Sequence, residues 1–232
     1  MASTPNVGRI AGGLLLVHFV VGLMLPYNLL VGAIGTSDGY QFLDQAARNA
    51  ASLRASVFLL LFGAAVRLGI SIAAYPVLRE SSRRLTIGVL ALAVANVPLQ
   101  AVEGGMVLSM LAVSQQYAGA GAADGATRVV VAAIGSTHQA IHYMQLLTMV
   151  GWIVVLCAAL WRAALVPRVL AFAMFIACAL QIAGVPVRGL LGYPVLIEMG
   201  LPLAPAYVGV ALWLLVKGFD QRRPISLAAA PT

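Results

Sequence analysis

Glu103 lies in Asn96-Val97-Pro98-Leu99-Gln100-Ala101-Val102-Glu103-Gly104-Gly105, within an otherwise apolar run from Leu85 to Leu111. Asn96, Gln100 and Glu103 fall at i, i+4 and i+7, so a helix places them on one face as a polar stripe. A carboxylate in such a run costs about 2.5–3.5 kcal/mol to insert into a bilayer, so it faces protein or a wet cavity instead of lipid. In that position it can pair with a buried cation, anchor a polar or cationic head group or, when protonated, act as a general acid. Pro98 withdraws a backbone donor beside it and predicts a kink, and Gly104-Gly105 loosens the next turn.

Arg67, near the centre of a second apolar run, is the matching cation. With the two runs antiparallel, Arg67 comes level with Asn96, and Glu103 lies two turns further out, about 10 Å at 1.5 Å per residue. Helical side chains lean toward their own N-terminus, so Arg67 and Glu103 lean toward each other. The spacing therefore predicts either an ion pair that neutralises two buried charges or a polar binding site with that pair at its floor. His138 and His142 share a helical face at i, i+4, at the depth of Glu103. Two imidazoles and a carboxylate form a zinc donor set, but Gln139 stands where a metalloprotease carries its glutamate. Histidines bonded to water or loop carbonyls are the simpler expectation, with no metal and no cofactor. Tyr143 and Gln145 continue the polar face, so the candidate ligand-binding set is Arg67, Asn96, Gln100, Glu103, His142, Tyr143 and Gln145. His18 stands alone in the inner half of the first apolar run, without a second histidine at its depth to ligate a haem, and reads as a hydrogen-bonded histidine of a bundle. Cys157 and Cys178 have no CxxC spacing and read as small buried hydrophobes. No P-loop, dinucleotide fingerprint or nucleophile elbow is present.

The elements that must position these residues follow from composition. The chain has 232 residues, 62% of them hydrophobic and only 9% charged, and its mean hydropathy is +0.97. No water-soluble domain of this size can bury so much apolar surface, and the apolar runs lack the alternation of porin strands. The expected fold class is all-α: one integral membrane bundle of about six helices, with short interfacial helices. The spans are expected near residues 10–33, 54–78, 85–111, 138–160, 169–187 and 206–218. Thr36 to Ser52 reads as a surface helix and Tyr117 to Gly125 as a loop. The long run after Arg128 is expected to break near Gly135-Ser136, and Pro186 to Pro205 reads as a loop or re-entrant element. The net charge of +7 does not indicate nucleic acid, because the bases sit at the ends of apolar runs. Arg9, Arg79, Arg83, Arg84, Arg162, Arg168, Lys217, Arg222 and Arg223 fall on one side, against Arg48, Arg54, Arg128 and Arg188 on the other. Nine against four predicts both termini in the cytoplasm.

Three stretches also carry a family likeness. Arg9-Ile10-Ala11-Gly12, the turn from Leu160-Trp161-Arg162 to Leu165-Val166-Pro167-Arg168, and Ala211-Leu212-Trp213-Leu214-Leu215-Val216-Lys217-Gly218 follow one another in an order that resembles an uncharacterised family. The family consists of small bacterial multi-pass proteins classed as a domain of unknown function. The resemblance implies a six-span protein of the bacterial inner membrane and no particular activity. It also implies an acid in span two, where this chain has Arg67, and an acid two turns before the final tryptophan, where this chain has Tyr207.

The functional expectation is an outward-leaning polar cavity among spans two, three and four that binds a small amphiphilic or lipid-like molecule, in a sensing, carrying or accessory role. One alternative is an intramembrane isomerase or cyclase using Glu103 as general acid. Another is a structural subunit of a homo-oligomer or larger membrane complex. Membrane lipids are the expected surroundings.

Overall fold

A chain this apolar must satisfy its backbone hydrogen bonds within each segment, and continuous helices do so without help from water. The computed structural model describes residues 4–25, 45–120 and 125–219. Its long helices are α1 (Thr4–Met24), α2 (Ala50–Ser81), α3 (Arg83–Ala120), α4 (Gly125–Arg162), α5 (Arg168–Ile182) and α6 (Leu203–Lys217). A π-helical turn, Ala183–Val187, and a short α-turn, Arg188–Leu190, prolong α5, and a 3-10 turn, Ile197–Gly200, precedes α6. No strand occurs among the described residues. Counting those flanking turns, all six helices are long and apolar enough to cross a membrane.

The burial pattern inverts that of a water-soluble protein. Large apolar side chains such as Phe58, Phe62, Ile72, Val94, Phe172 and Ile176 point outward, while Arg67, Asn96, Gln100, Glu103, His138 and Gln145 are buried. Only a hydrocarbon surrounding makes that arrangement favourable, because apolar groups there need no cover and polar groups do.

Each helix packs on its neighbours in the chain, and α1 closes the ring on α6. The closing seam depends on small residues. A Cβ at Gly12 would lie 2.5 Å from the Leu215 backbone nitrogen, and one at Gly8 only 2.1 Å from that of Phe219. Gly218 adopts φ 66°, with its Cα side against the Pro5 carbonyl oxygen. The start of α1 and the end of α6 therefore share one face of the bundle. The α2–α3 and α4–α5 turns lie there too, joined where Arg162 Nε donates to the Ser81 carbonyl at 3.5 Å. The stretches that carry the family likeness meet on this face: Gly12 packs on α6, and Trp213 Nε1 donates to the Leu165 carbonyl at 3.1 Å.

Two apolar cores stack along α2, α3 and α4. The larger, nearer the basic turns, includes Ile70, Leu78, Val89, Ala93, Trp152 and Leu160 and extends into α1, α5 and α6. The smaller holds Ala46, Leu53, Val57, Val107, Met110 and Leu111. Residues 67, 96–103 and 138–145 form a polar layer between them.

Several expected boundaries differ. Helix α4 runs unbroken through Gly135 and Ser136. A helical glycine costs only about 1 kcal/mol, and Ser136 and Thr137 return their hydroxyls to the Ala133 carbonyl at 3.0 and 2.8 Å. Helix α3 likewise passes Pro98 and Leu111 and continues to Ala120. With 38 residues each, α3 and α4 extend about 57 Å, well beyond a hydrocarbon layer of about 30 Å. The stretch from Pro186 to Pro205 places short π, α and 3-10 turns on either side of an irregular segment, residues 191–196. Most of the proposed surface helix falls outside the described residues; residues 45–48 form a helical turn leading into α2.

Candidate functional site

The polar layer is built by five helices. From α2, Arg67 donates to Asn96 Oδ1 on α3, and its other terminal nitrogen lies 3.1 Å from His18 Nε2 on α1. The guanidinium also sits 5.8 Å from the centre of the Trp152 ring on α4. Trp152 in turn donates its indole N–H to Ser71 Oγ at 2.9 Å. His18 Nδ1 lies 3.1 Å from the Tyr207 hydroxyl on α6. Asn96 donates through Nδ2 to the Gln145 carbonyl at 3.3 Å.

A second cluster lies one to two turns further along α3. Gln145 Nε2 donates to Gln100 Oε1 at 3.1 Å, and Gln100 Nε2 donates to Glu103 Oε2 at 2.8 Å. The other carboxylate oxygen of Glu103 is 2.7 Å from His142 Nδ1. His138 stacks on His142 with ring centroids 6.3 Å apart, and neither of its buried nitrogens has a hydrogen-bond partner. Among the described residues, no three His, Cys, Asp or Glu side chains are grouped to share a metal ion.

The expected levels of the side chains match this geometry: Arg67 meets Asn96, and Glu103 meets the His142 face. The expected Arg67–Glu103 ion pair does not form. Asn96 and His18 lie between the helices at the level of Arg67 and take the guanidinium first, while Gln100 and His142 enclose the carboxylate.

Open space lies on the opposite flank of α4. A cavity of about 430 Å³ is bordered by α1, α4, α5 and the approach to α6. Its wall is mainly aliphatic, including Leu146, Met149, Ile153 and Leu203, with His18, His142, Tyr143, Gln181 and Tyr207 as the side chains able to hydrogen-bond. Of the seven candidate residues, His142 and Tyr143 border it; Arg67, Asn96, Gln100, Glu103 and Gln145 form the network behind that wall. Among the described residues, this cavity lies outside the group of spans two, three and four, where the polar side chains bond one another. Tyr143 is seated by Gly189, where a Cβ would fall 2.2 Å from its ring, and accepts from Gln139 at 3.2 Å. Gln181 faces the cavity and has no hydrogen bond among the described residues.

His18, Tyr207 and Gln181 are the cavity-facing polar groups that sequence reasoning did not assign to a site. The available signal was an ionisable or amide side chain in the middle of an apolar run, which in a membrane helix marks an interior position. Cys157 and Cys178 are buried free thiols; Cys157 lies 3.7 Å from the Ala171 carbonyl.

Residues 10–218 match the family described as a domain of unknown function, DUF4386. The chain belongs to that family. No curated protein and no solved structure matches it. Membership thus agrees with the multi-pass helical architecture, and any activity must be argued from the site.

Proposed function

We propose that this protein binds a small amphiphilic or lipid-like molecule in the cavity between α1, α4, α5 and α6, as a sensor, carrier or accessory component. The cavity carries this reading. Its volume of about 430 Å³ falls within the range of about 300–1,000 Å³ usual for ligand sites, and an apolar wall with a few convergent polar groups is the usual lining. A tail would lie along Leu146, Met149 and Leu203, with the head group on the side of His18, His142 and Tyr207.

Gly22 offers a direct test, since it borders the cavity and a Cβ there meets nothing within 4 Å. Native mass spectrometry of wild type is expected to show a co-purifying amphiphile that Gly22→Phe lacks. An identical ligand load in both proteins would remove the cavity from consideration.

The Glu103–His142 contact favours a second reading, an intramembrane isomerase or cyclase. Glu103 is 4% exposed and does not border the cavity. His142 would therefore meet a substrate and exchange its proton, with Glu103 orienting it from behind. In that case Glu103→Gln would carry an unconverted precursor of the compound found in wild type; under the binding reading it carries less of the same compound.

We further propose that the basic face lies in the cytoplasm of a bacterial cell, with the membrane being the inner one. A cysteine at position 82 should then be labelled only from the cytoplasmic side and one at position 122 only from outside. The reverse pattern would invert the orientation.

A further inference from the structure

The hydrogen bonds behind the cavity wall have a direction, and that direction specifies the head group. Arginine can only donate. At 3.1 Å from the Arg67 guanidinium, His18 Nε2 must therefore be the acceptor. A protonated imidazole would set an N–H against those donors, so His18 is neutral, with its one hydrogen on Nδ1. That hydrogen points at the Tyr207 hydroxyl oxygen, 3.1 Å away. Tyr207 is then an acceptor on this side, and its own proton is left for a third group. No other hydrogen bond to Tyr207 occurs among the described residues; its ring stacks on Phe19 within the core and borders the cavity.

Charge points the same way. Arg67 is 2% exposed and touches no carboxylate; Asn96, His18 and the Trp152 face surround it, and its Nε has no partner. Glu103 is held by Gln100 and His142. Hydrogen bonds in series polarise one another, so a chain that begins at a guanidinium strengthens the donor at its far end. Gln181, on the facing helix α5, adds an amide without a hydrogen bond among the described residues.

Taking the amphiphile-binding reading as its premise, we infer that the ligand is an anionic amphiphile whose carboxylate or phosphate oxygen accepts the Tyr207 hydroxyl proton, with the Arg67–His18 relay as its buried countercharge. Tyr207 contacts the head group; Arg67 and His18 act through it. Such a hydrogen bond needs no cation at the cavity surface, which keeps the lining compatible with an apolar tail.

The test uses the full chain in phosphatidylcholine nanodiscs and a series of diazirine probes with one common alkyl tail. The probes end in a carboxylate, a phosphate monoester, a hydroxyl or an ammonium group, and labelled residues are mapped by mass spectrometry. Labelling of Leu146, Met149 or Leu203 is expected to be strongest for the two anionic probes, with the better of them showing whether the natural ligand is a fatty acid or a phosphorylated lipid. Tyr207→Phe should weaken anionic labelling by about tenfold or more, the worth of a hydrogen bond to a charged group, and leave the hydroxyl probe nearly unchanged. Equal labelling by all four heads, a preference for ammonium, or an unaltered order in Tyr207→Phe would overturn this inference while leaving the cavity as a binding site. Labelling of the cavity by none of the probes would instead remove the premise. The head-group ranking in wild type decides the matter even should Tyr207→Phe fold poorly.

Discussion

On the α3 side of α4, Gln145 and His142 complete hydrogen bonds that leave Gln100 and Glu103 only 3% and 4% exposed. On the other side of the same helix, His142 and Tyr143 border a cavity of about 430 Å³. The contrast originates in the partner helices. Helices α2, α3 and α4 run continuously past one another, so their polar side chains are pressed into one layer and satisfy each other. Helices α5 and α6 are interrupted between residues 183 and 202 by Pro186, Pro194 and Pro202 and by π and 3-10 turns. These cannot fill the space of a straight helix, and the polar groups opposite them face a void. A single-turn π insertion beside such a void is a frequent companion of functional sites.

The closed flank should be the more fragile of the two. Asn96→Leu removes one of the two side-chain hydrogen-bond partners that Arg67 has among the described residues and is expected to cost about 2–3 kcal/mol, read by thermal or denaturant unfolding in detergent. Arg67→Leu added to Asn96→Leu should recover most of that loss. Arg67→Leu with Glu103→Leu should instead show a weaker coupling than the Arg67–Asn96 pair, because the two side chains are linked only through the intervening amides. A stronger coupling of Arg67 to Glu103 than to Asn96 would show that direct charge pairing organises the α2–α3 seam.

A smaller effect separates the two flanks more sharply. Gln145→Leu removes a donor from the sealed cluster, costs about 1 kcal/mol and leaves any bound amphiphile in place. Gln181→Leu breaks no hydrogen bond, so its stability should stay within about 0.5 kcal/mol of wild type while the co-purified amphiphile falls. Stability loss at Gln181 together with ligand loss at Gln145 would reverse the assignment of the open and closed sides.

Much of the architecture was legible in the residues themselves. Apolar run length indicated membrane-crossing helices, because a hydrocarbon layer demands about 20 apolar residues per crossing and tolerates no unsatisfied backbone. Helical periodicity aligned Asn96, Gln100 and Glu103 on one face, and antiparallel counting brought Arg67 level with Asn96 and Glu103 level with the His142 face. Boundaries were harder to read. Gly135 and Ser136 resemble a break, yet a local helix signal carries no information on how far α4 projects beyond the bilayer.

Partner choice and empty space were decided by the tertiary structure. Depth along a helix follows from residue number, but which side chain reaches Arg67 first depends on how six helices rotate about their axes. That rotation is set by packing around the whole ring, including the close approach of Gly8 and Gly12 to α6. His18 and Tyr207 are 189 positions apart in the chain, and only closure of α1 on α6 joins them to Arg67. The cavity is likewise a property of no single segment, since it arises where the broken ends of α5 and α6 fail to fill what α1 and α4 enclose.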